Sequence, residues 1–223
     1  MYHNNMIYHF QNHCYQYFLE FCTYLLNSKI KIPSKVQIIT CSNDETNSIL
    51  IQQLKANNIP YINKVPQGIE WDNRSKIRYI LDALEEVTTK YVLILDANDV
   101  LIEDDLQGAL NVFLKKGKKL IYNATCTNYP NVKIGIVRDR KNRGKFKYLN
   151  AGCCIGYTKY AKSFYQRALK YINIDNPWKS EQYIIRHAFR DRRRYVEFDW
   201  ESKIFQTVGG CIVLRKGNIW KVV

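Results

Sequence analysis

The sequence YVLILDANDVLI, residues Tyr91–Ile102, places two carboxylates directly after an unbroken apolar run. Tyr91 to Leu95 are aromatic, β-branched or aliphatic, which is typical of a strand buried on both faces of a sheet. Open α/β sheets bind ligands at the carboxyl ends of their strands, so we expect Asp96 and Asp99 at a binding site. Their hard oxygen donors suit Mg²⁺ or Mn²⁺, which usually completes its coordination with water and substrate phosphates. A solvated acidic turn is the alternative.

The chain before this stretch alternates strand and helix signals. Strands are predicted at Val36–Thr40 and Ile59–Ile62, and helices from the turn after Cys41 to about residue 56 and over about residues 74–87. Together with the strand that begins at Tyr91, this order predicts a Rossmann-like half of an α/β sheet.

Polar residues at the ends of these elements are the first candidates for a nucleotide pocket. Thr40 and Ser42 end the first strand beside the Asp96 loop, where they either line the pocket or act as ordinary turn and cap residues. Lys76 and Arg78 lie in the first turns of the second helix. They either reach a diphosphate from the N-terminal end of that helix or remain solvated charges.

The chain after the acidic loop continues the α/β pattern. A helix to about Lys115 and a strand at Leu120–Ala124 lead into a long polar connection, Thr125–Lys147. Connections of this length are usually functional or mobile. Tyr148–Gly156 then combines a buried strand pattern with small residues, which let a ligand approach the backbone closely.

The last third of the chain contains two predicted helices and several short strands. One helix spans Lys159–Tyr171, and another begins at the cap Asp175-Asn176-Pro177 and carries Glu181 and Gln182 near its start. His187 on that helix is expected to be structural. Short strands are predicted at 195–198, 204–207, 212–214 and 219–222, with a hairpin turn joining the last two.

The chain of 223 residues is strongly basic, with a formal net charge of +14. Such a charge favours phosphorylated or polyanionic partners through long-range steering. Part of it lies in the runs Arg138–Lys147 and Arg190–Arg194, which are also compatible with solvated surface. Neither run has an aromatic stacking platform or zinc-finger spacing, so a nucleotide diphosphate is a better expectation than nucleic acid.

The cysteine pattern and the lack of targeting signals bear on the compartment. The seven cysteines are an odd number and form no C-x-x-C pair, which favours reduced thiols in a cytosolic compartment over a disulfide framework. The N-terminus does not have the pattern of a signal peptide, and no apolar run is long enough for a membrane span. We therefore expect a soluble, unsecreted, cytoplasmic protein.

The N-terminal segment is predicted to be helical. Apolar and aromatic residues recur every three or four positions over residues 7–27, the period of an amphipathic helix. We divide the chain into this extension, 1–34, and a domain at 35–223. The helix is expected to pack on the domain or on a second copy of the chain in a homodimer. His3, His9 and His13 lack metal-ligand spacing.

Four separated stretches carry a resemblance to a known family. Their sequences are KYVLILDANDVLI, FKYLNAGCCIGYTKY, SEQYIIRHAF and FDWESKIFQTVGG, in that order along the chain. They resemble, in the same order, the strand and D-x-x-D metal loop, the LNSGGFIG segment, the DDQLFYT helix and the LDHKSRIFQNLNG strand of one domain. It is the glycosyltransferase domain of procollagen lysyl hydroxylases and related collagen galactosyl- and glucosyltransferases. The similarity runs from about Val36 to Gly210 and suggests a viral or microbial homologue.

The resemblance implies an α/β fold of the GT-A type, with a Rossmann-like mixed sheet flanked by helices, a UDP-sugar donor and a divalent metal, usually Mn²⁺. The resemblance also implies roles, carried over by position. Asp96 and Asp99 would bind the metal, and Lys76, which lies in SKIRYI against the family's QKVRWL, would bind phosphate. Asn98 would contact the donor near the metal loop, Thr40 and Ser42 the uridine, and Asn150 and Gly152 the sugar, while Glu181 and Gln182 would act in catalysis.

These roles suit the chemistry of transfer from a sugar nucleotide. The anomeric carbon becomes positive and the departing UDP becomes more negative, so a metal and cations at the diphosphate stabilise the developing charge. A carboxylate such as Glu181 can orient or deprotonate the acceptor hydroxyl.

This sequence departs from the family pattern in three ways. The family takes a third metal ligand from a His-Gly-Asn segment, whereas no histidine follows His187 here. The oxygenase domain of the lysyl hydroxylases is absent, so hydroxylation is not expected. Glu181 replaces an aspartate, which moves the carboxylate by one methylene.

We therefore predict a metal-dependent glycosyltransferase that transfers a hexose from a UDP-sugar to a protein, such as a collagen-like hydroxylysine, or to a glycan. A sugar-nucleotide-binding protein that lacks transfer is the first alternative, because of the absent histidine. A basic nucleic-acid-binding protein is the second, because of the charge.

Overall fold

The computed structural model describes residues 7–9, 23–103, 105–130, 145–191, 194–207, 213–216 and 219–222. Eleven strands lie within these ranges: β1 (Ile7–His9), β2 (Val36–Cys41), β3 (Tyr61–Ile62), β4 (Tyr91–Asp96), β5 (Val100–Ile102), β6 (Leu120–Thr125), β7 (Tyr148–Tyr157), β8 (Val196–Phe198), β9 (Phe205–Thr207), β10 (Val213–Lys216) and β11 (Ile219–Val222). The helices of eight or more residues in these ranges are α1 (Ile49–Ala56), α2 (Lys76–Glu86), α3 (Gln107–Lys115), α4 (Thr158–Leu169) and α5 (Glu181–Asp191).

A six-stranded mixed sheet with the order β3-β2-β4-β7-β6-β8 forms the centre of the fold. β2 runs parallel to β3 and β4, β7 runs antiparallel to β4 and β6, and β8 runs parallel to β6. β4 is an inner strand, which explains its unbroken apolar run. The α/β prediction with a Rossmann-like mixed sheet is confirmed.

Helices cover both faces of this sheet because successive side chains of a strand point to opposite sides. Val92 and Ile94 of β4 belong to the core cluster that also includes buried residues of α2, α4 and α5. Leu93 and Leu95 belong to the cluster that includes residues of α1, α3 and β5. Burying a side chain of this size contributes roughly 1.5–3 kcal/mol, so these two faces supply much of the stability.

A second sheet of three short strands has the order β5-β1-β9. Ile7–His9 form β1, which pairs antiparallel with β5 and parallel with β9. The predicted helix over residues 7–27 is therefore wrong at its start, because backbone partners from distant segments recruit these residues into a sheet. Residues 23–26 are helical, and residues 10–22, with the proposed dimer contact, lie outside the described residues.

Most other predicted elements agree with the structure to within a few residues. The last predicted helix is an exception, because it begins at Glu181 rather than beside Pro177. The Asn176 side chain binds the backbone of Ser180 in both directions, at 2.8 Å to its carbonyl and 3.4 Å from its amide, and holds a turn there. The predicted C-terminal hairpin is present as the antiparallel pair β10 and β11, and its turn residues 217 and 218 lie outside the described ranges. Among the described residues, no helix is long and apolar enough to cross a membrane.

Candidate active site

The carboxyl ends of β2 and β4 bring two site residues side by side. Cys41 and Asp96 are register partners at the ends of these parallel strands. The first turns of α2 and α5 begin at the same edge, with Lys76 as the first residue of α2 and Glu181 as the first residue of α5. Four elements from separate parts of the sequence therefore converge on one point.

Lys76 lies between the two carboxylates of this site. Its Nζ donates a hydrogen bond to Oδ1 of Asp96 and another, at 3.2 Å, to Oε1 of Glu181. The Lys76 side chain is only 6% exposed, against 22% for Asp96 and 15% for Glu181. This is a largely buried ion-pair triad, which needs such direct contacts to offset the cost of desolvation.

The pKa values of nearby groups reflect this arrangement. Burial by itself lowers the pKa of Lys76, but Asp96, Glu181 and Cys41 together raise it well above its ordinary value. Burial raises the pKa of the Cys41 thiol to about 12, with Lys76 opposing and the two carboxylates adding to the rise. Lys76 is therefore charged and Cys41 is a neutral thiol at neutral pH.

Asp96 and Asp99 both act electrostatically on a cysteine of β7. Burial raises the pKa of Cys153 on β7, and the charges of Asp96 and Asp99 raise it further. Both D-x-x-D carboxylates thus act on one buried thiol, and Cys153 is the register neighbour of Leu95, the residue before Asp96.

The two carboxylates of the acidic loop are the candidate metal ligands. Within the described ranges, no three His, Cys, Asp or Glu side chains are grouped so as to hold a metal. Mg²⁺ and Mn²⁺ do not require such a group, since one or two carboxylates, waters and substrate phosphates suffice. Lys76 now donates a hydrogen bond to Oδ1 of Asp96. Asp96 and Asp99 suit a metal of this kind once that hydrogen bond is released.

A serine network joins the end of β2 to the acidic loop. The Ser42 and Ser48 hydroxyls lie 2.5 Å apart, and the Ser48 hydroxyl lies 2.8 Å from Oδ1 of Asn98. The backbone N–H of Leu50 donates to the Ala97 carbonyl at 3.0 Å. Ser42 and Asn98 are therefore linked through the Ser48 hydroxyl, which ties the acidic loop to the end of β2.

The sequence matches the family described as PLOD GT domain over residues 34–216. This match covers most of the chain. The chain belongs to the PLOD GT domain family. It is thus a glycosyltransferase domain with a GT-A fold, of the kind found in the lysyl hydroxylase and collagen glucosyltransferase family.

Two solved structures are similar at a lower level. A Bacillus anthracis protein assigned as a glucose-1-phosphate thymidylyltransferase has a TM-score of 0.39 and 9% identity, over 65% of this chain and 58% of its own. A 4-diphosphocytidyl-2C-methyl-D-erythritol synthase from Anaerococcus prevotii has a TM-score of 0.37 and 13% identity, over 78% of this chain and 88% of its own. These likenesses add no argument to the family match. No curated protein matches the sequence.

In this PLOD GT domain, the surroundings of Thr40 differ from those expected for a uridine contact, and those of Gln182 differ from those expected for a catalytic group. Thr40 lies one residue before Cys41, so strand alternation directs its side chain to the opposite face of the sheet. Its buried hydroxyl has no hydrogen-bond partner among the described residues. Gln182 accepts a hydrogen bond from the Ala151 N–H at 3.0 Å, and its Nε2 donates to the Tyr129 carbonyl. Both polar atoms of the Gln182 side-chain amide are therefore hydrogen-bonded to backbone groups.

The sugar-side candidates lie on β7. Oδ1 of Asn150 accepts a hydrogen bond from the Gly152 N–H at 2.8 Å, and Asn150 is 3% exposed. Gln182 of α5 binds Ala151, between these two residues. β7 and the start of α5 are therefore fixed to each other, which sets the position of Glu181.

Arg186 is a buried residue of α5 that no sequence pattern indicated. It lies one helical turn after Gln182, is fully buried, and donates from Nη1 to the Pro130 carbonyl at 3.0 Å. Within the part of the chain that the structure describes, its Nε and Nη2 have no hydrogen-bond partner, and burial lowers its pKa to about 10. A basic residue on a helix normally indicates a solvated face, so only the fold reveals this buried guanidinium.

His187 is structural, as the sequence indicated. It is buried, with ring contacts of 5.3 Å to Tyr171 and 4.8 Å to Tyr183 between centroids. Burial lowers its pKa.

Proposed function

We propose that this domain is a metal-dependent hexosyltransferase that uses a UDP-sugar and modifies a protein or glycan acceptor. The convergence of Asp96 and Glu181 on Lys76, at the carboxyl edge of a PLOD GT domain, is the observation that carries the proposal. It brings together a carboxylate that can bind the metal, Asp96, a cation that can bind phosphate, Lys76, and a carboxylate that can act on the acceptor, Glu181.

Asp96 and Asp99 would hold Mn²⁺ or Mg²⁺ at the donor diphosphate, where the ion supplies charge neutralisation for the departing UDP. Lys76 exchanges its contact with Asp96 for one with a phosphate oxygen. This exchange keeps the buried ammonium paired with an anion throughout, so it avoids the cost of an isolated buried charge.

Glu181 is the proposed acceptor-side group. Its carboxylate accepts a hydrogen bond from the Lys76 ammonium at 3.2 Å and is 15% exposed, so it is accessible to a second donor, the acceptor hydroxyl. Once Lys76 turns to the phosphate, Glu181 orients the acceptor hydroxyl and takes its proton as the new glycosidic bond forms. Asn150 and Gly152 are proposed to contact the sugar, Ser42 the uridine, and Asn98 the donor near the metal loop. Thr40 is left out, because its side chain lies on the opposite face of the sheet.

The acceptor we propose is a protein, such as a collagen-like hydroxylysine, or a glycan. This choice rests on the family and not on any acceptor contact. A cytoplasmic location, a viral or microbial origin and a homodimer through the N-terminal segment stay predictions.

The test is release of UDP from a panel of UDP-hexoses with Mn²⁺, measured with and without collagen-like hydroxylysine peptides and free glycans. Asp96→Asn and Glu181→Gln should each lower turnover at least about a hundredfold. Asp82→Asn, an exposed carboxylate on α2, removes the same charge and should leave turnover unchanged. Equal turnover in Glu181→Gln and the wild type would exclude the proposed role of Glu181.

A sugar-nucleotide-binding protein without transfer is the second candidate. The ion pair that holds Glu181 to Lys76 favours it, because it occupies the carboxylate that would otherwise act on the acceptor. It predicts metal-dependent UDP binding that Asp96→Asn abolishes, without turnover of any donor. The nucleic-acid alternative instead predicts salt-dependent binding of DNA or RNA that survives Asp96→Asn.

A further inference from the structure

A cleft lies at the opposite end of the central strands from the Lys76 site. Its volume is about 540 Å³, within the range of ligand pockets. It is lined by the end of α2, the segment before β4, the start of β6 and the start of α4. β4 spans six residues from Tyr91 at this end to Asp96 at the other, or roughly 17 Å.

Four of the residues that line this cleft are lysines, and one is acidic. Lys162 forms an ion pair with Glu85, the acidic residue. Lys90, Lys119 and Lys159 have no ion pair with any residue in the described part of the chain, and their cation–π contacts are with tyrosines. Three ammonium groups therefore surround the cleft without a carboxylate to neutralise them.

Tyrosine rings hold these lysines in place. Nζ of Lys119 lies 5.2 Å from the centroid of Tyr157 and 5.8 Å from that of Tyr160. Nζ of Lys90 lies 6.0 Å from the Tyr157 centroid, and Nζ of Lys159 lies 5.1 Å from the Tyr160 centroid. Such contacts restrict the lysine rotamers and reduce the entropy lost when an anion binds.

The backbone around the cleft is also fixed. The Thr158 N–H donates to the Lys90 carbonyl at 3.1 Å, and the Thr158 hydroxyl donates to the Thr89 carbonyl at 2.8 Å. The Tyr157 N–H donates to the Lys119 carbonyl at 3.0 Å. Lys90, Lys119 and the start of α4 therefore form one rigid unit.

The tyrosine rings do not offer an open stacking surface. Tyr157 already contacts Tyr91 at 5.0 Å and Phe113 at 5.6 Å between centroids, and Tyr160 contacts Tyr195 at 5.5 Å. Lysines also lie over the same rings, so a ligand in the cleft would be bound by the ammonium groups and not by stacking on the rings. This arrangement suits a compact polyanion better than the bases of a single-stranded nucleic acid.

We propose that this cleft binds a compact, multiply charged anion with phosphate or sulfate groups, through Lys90, Lys119 and Lys159. The site does not depend on the donor site, because it lies at the other end of the central strands and contains none of its residues.

Calorimetric titration with tripolyphosphate tests the site, with EDTA present to suppress metal-assisted binding at the donor site. Lys90→Gln with Lys119→Gln should weaken binding at least about tenfold, or about 1.4 kcal/mol. Lys29→Gln with Lys170→Gln removes the same charge from two exposed lysines outside the cleft and should change affinity less than about twofold. Lys90→Arg with Lys119→Arg should retain binding, which separates the charge from any effect on folding.

Three results would overturn the proposal. The first is no tripolyphosphate binding by the wild type, and the second is equal weakening in the cleft and control pairs, which would show a general charge effect. The third is tighter binding of a single-stranded oligothymidylate that the cleft substitutions abolish, which would make nucleic acid the ligand.

Discussion

Lys76 holds the two carboxylates of the site together, so its removal should cost stability. Lys76→Met leaves Asp96 and Glu181 as neighbouring, largely buried anions, and we expect a loss of about 3 kcal/mol in the free energy of unfolding. Urea denaturation at about pH 7 measures it. Lys64→Met, which breaks an exposed pair with Glu86, is the control and should cost less than about 1 kcal/mol. Equal losses in the two variants would contradict the buried triad.

The pH dependence of this contribution follows from the raised pKa of Lys76. A raised pKa in the folded state gives stability that is fully present below the ordinary lysine value of about 10.5 and is lost as the pH rises through the folded value. The stability difference between wild type and Lys76→Met should therefore stay constant between about pH 7 and pH 9. Urea denaturation across this range measures it, and a steady decline there would contradict a raised pKa.

Sequence patterns located the charged site residues better than the polar ones. Asp96 follows a buried strand, and Glu181 lies in a motif that the family shares, so both could be predicted. The face of the sheet on which the Thr40 side chain lies depends on strand register. The hydrogen bonds of Gln182 depend on Tyr129, about fifty residues away in the sequence. A single sequence contains no local signal for either.

Among the elements, most helices and strands were predictable, whereas β1 and β5 were not. β1 and β5 contain three residues each, too few for a periodic pattern, and they pair across about ninety positions in sequence. β4, by contrast, is identified by its apolar run alone.

The close packing of β6 against β7 depends on Gly156. A Cβ there would lie 2.5 Å from Cδ1 of Leu120 and 2.8 Å from the Lys119 carbonyl oxygen, which is fixed by its bond to the Tyr157 N–H. Gly156→Ala should therefore destabilise by about 1–3 kcal/mol in urea denaturation.

Gly117 is the control for this prediction, because a Cβ there meets nothing within 4 Å and only its φ of +65° disfavours a side chain. Asn tolerates this backbone region better than Ala, so Gly117→Asn should cost less than Gly117→Ala. At Gly156 the larger Asn should cost more than Ala. The opposite order at Gly156 would show that the strands separate easily.

At the scale of the whole molecule, the core protects the thiols. Cys41, Cys153 and Cys154 are buried with raised pKa values, whereas Cys126 is half-buried. With iodoacetamide at about pH 8, Cys126 should be labelled first among these four, because the reaction requires an accessible thiolate. Peptide mass spectrometry measures the order. Rapid labelling of Cys41 without denaturant would contradict the packing at the end of β2.

The overall charge of the chain was readable from composition, but its arrangement was not. Lys90, Lys119 and Lys159 come from three separate segments and meet only because β4, β6 and α4 begin or end at the same edge. The two basic runs that stand out in sequence contribute none of them. Local clustering of charge in the sequence therefore does not indicate the lysines that line this cleft.

Calorimetric titration with UDP, with and without Mn²⁺, tests the donor site most directly. The wild type and Asp82→Asn should bind UDP more tightly with Mn²⁺, and Asp96→Asn with Asp99→Asn should lose the metal-dependent part, at least about tenfold in affinity. UDP binding that is the same with and without Mn²⁺, or that survives the double substitution, would contradict a metal-dependent donor site at the end of β4.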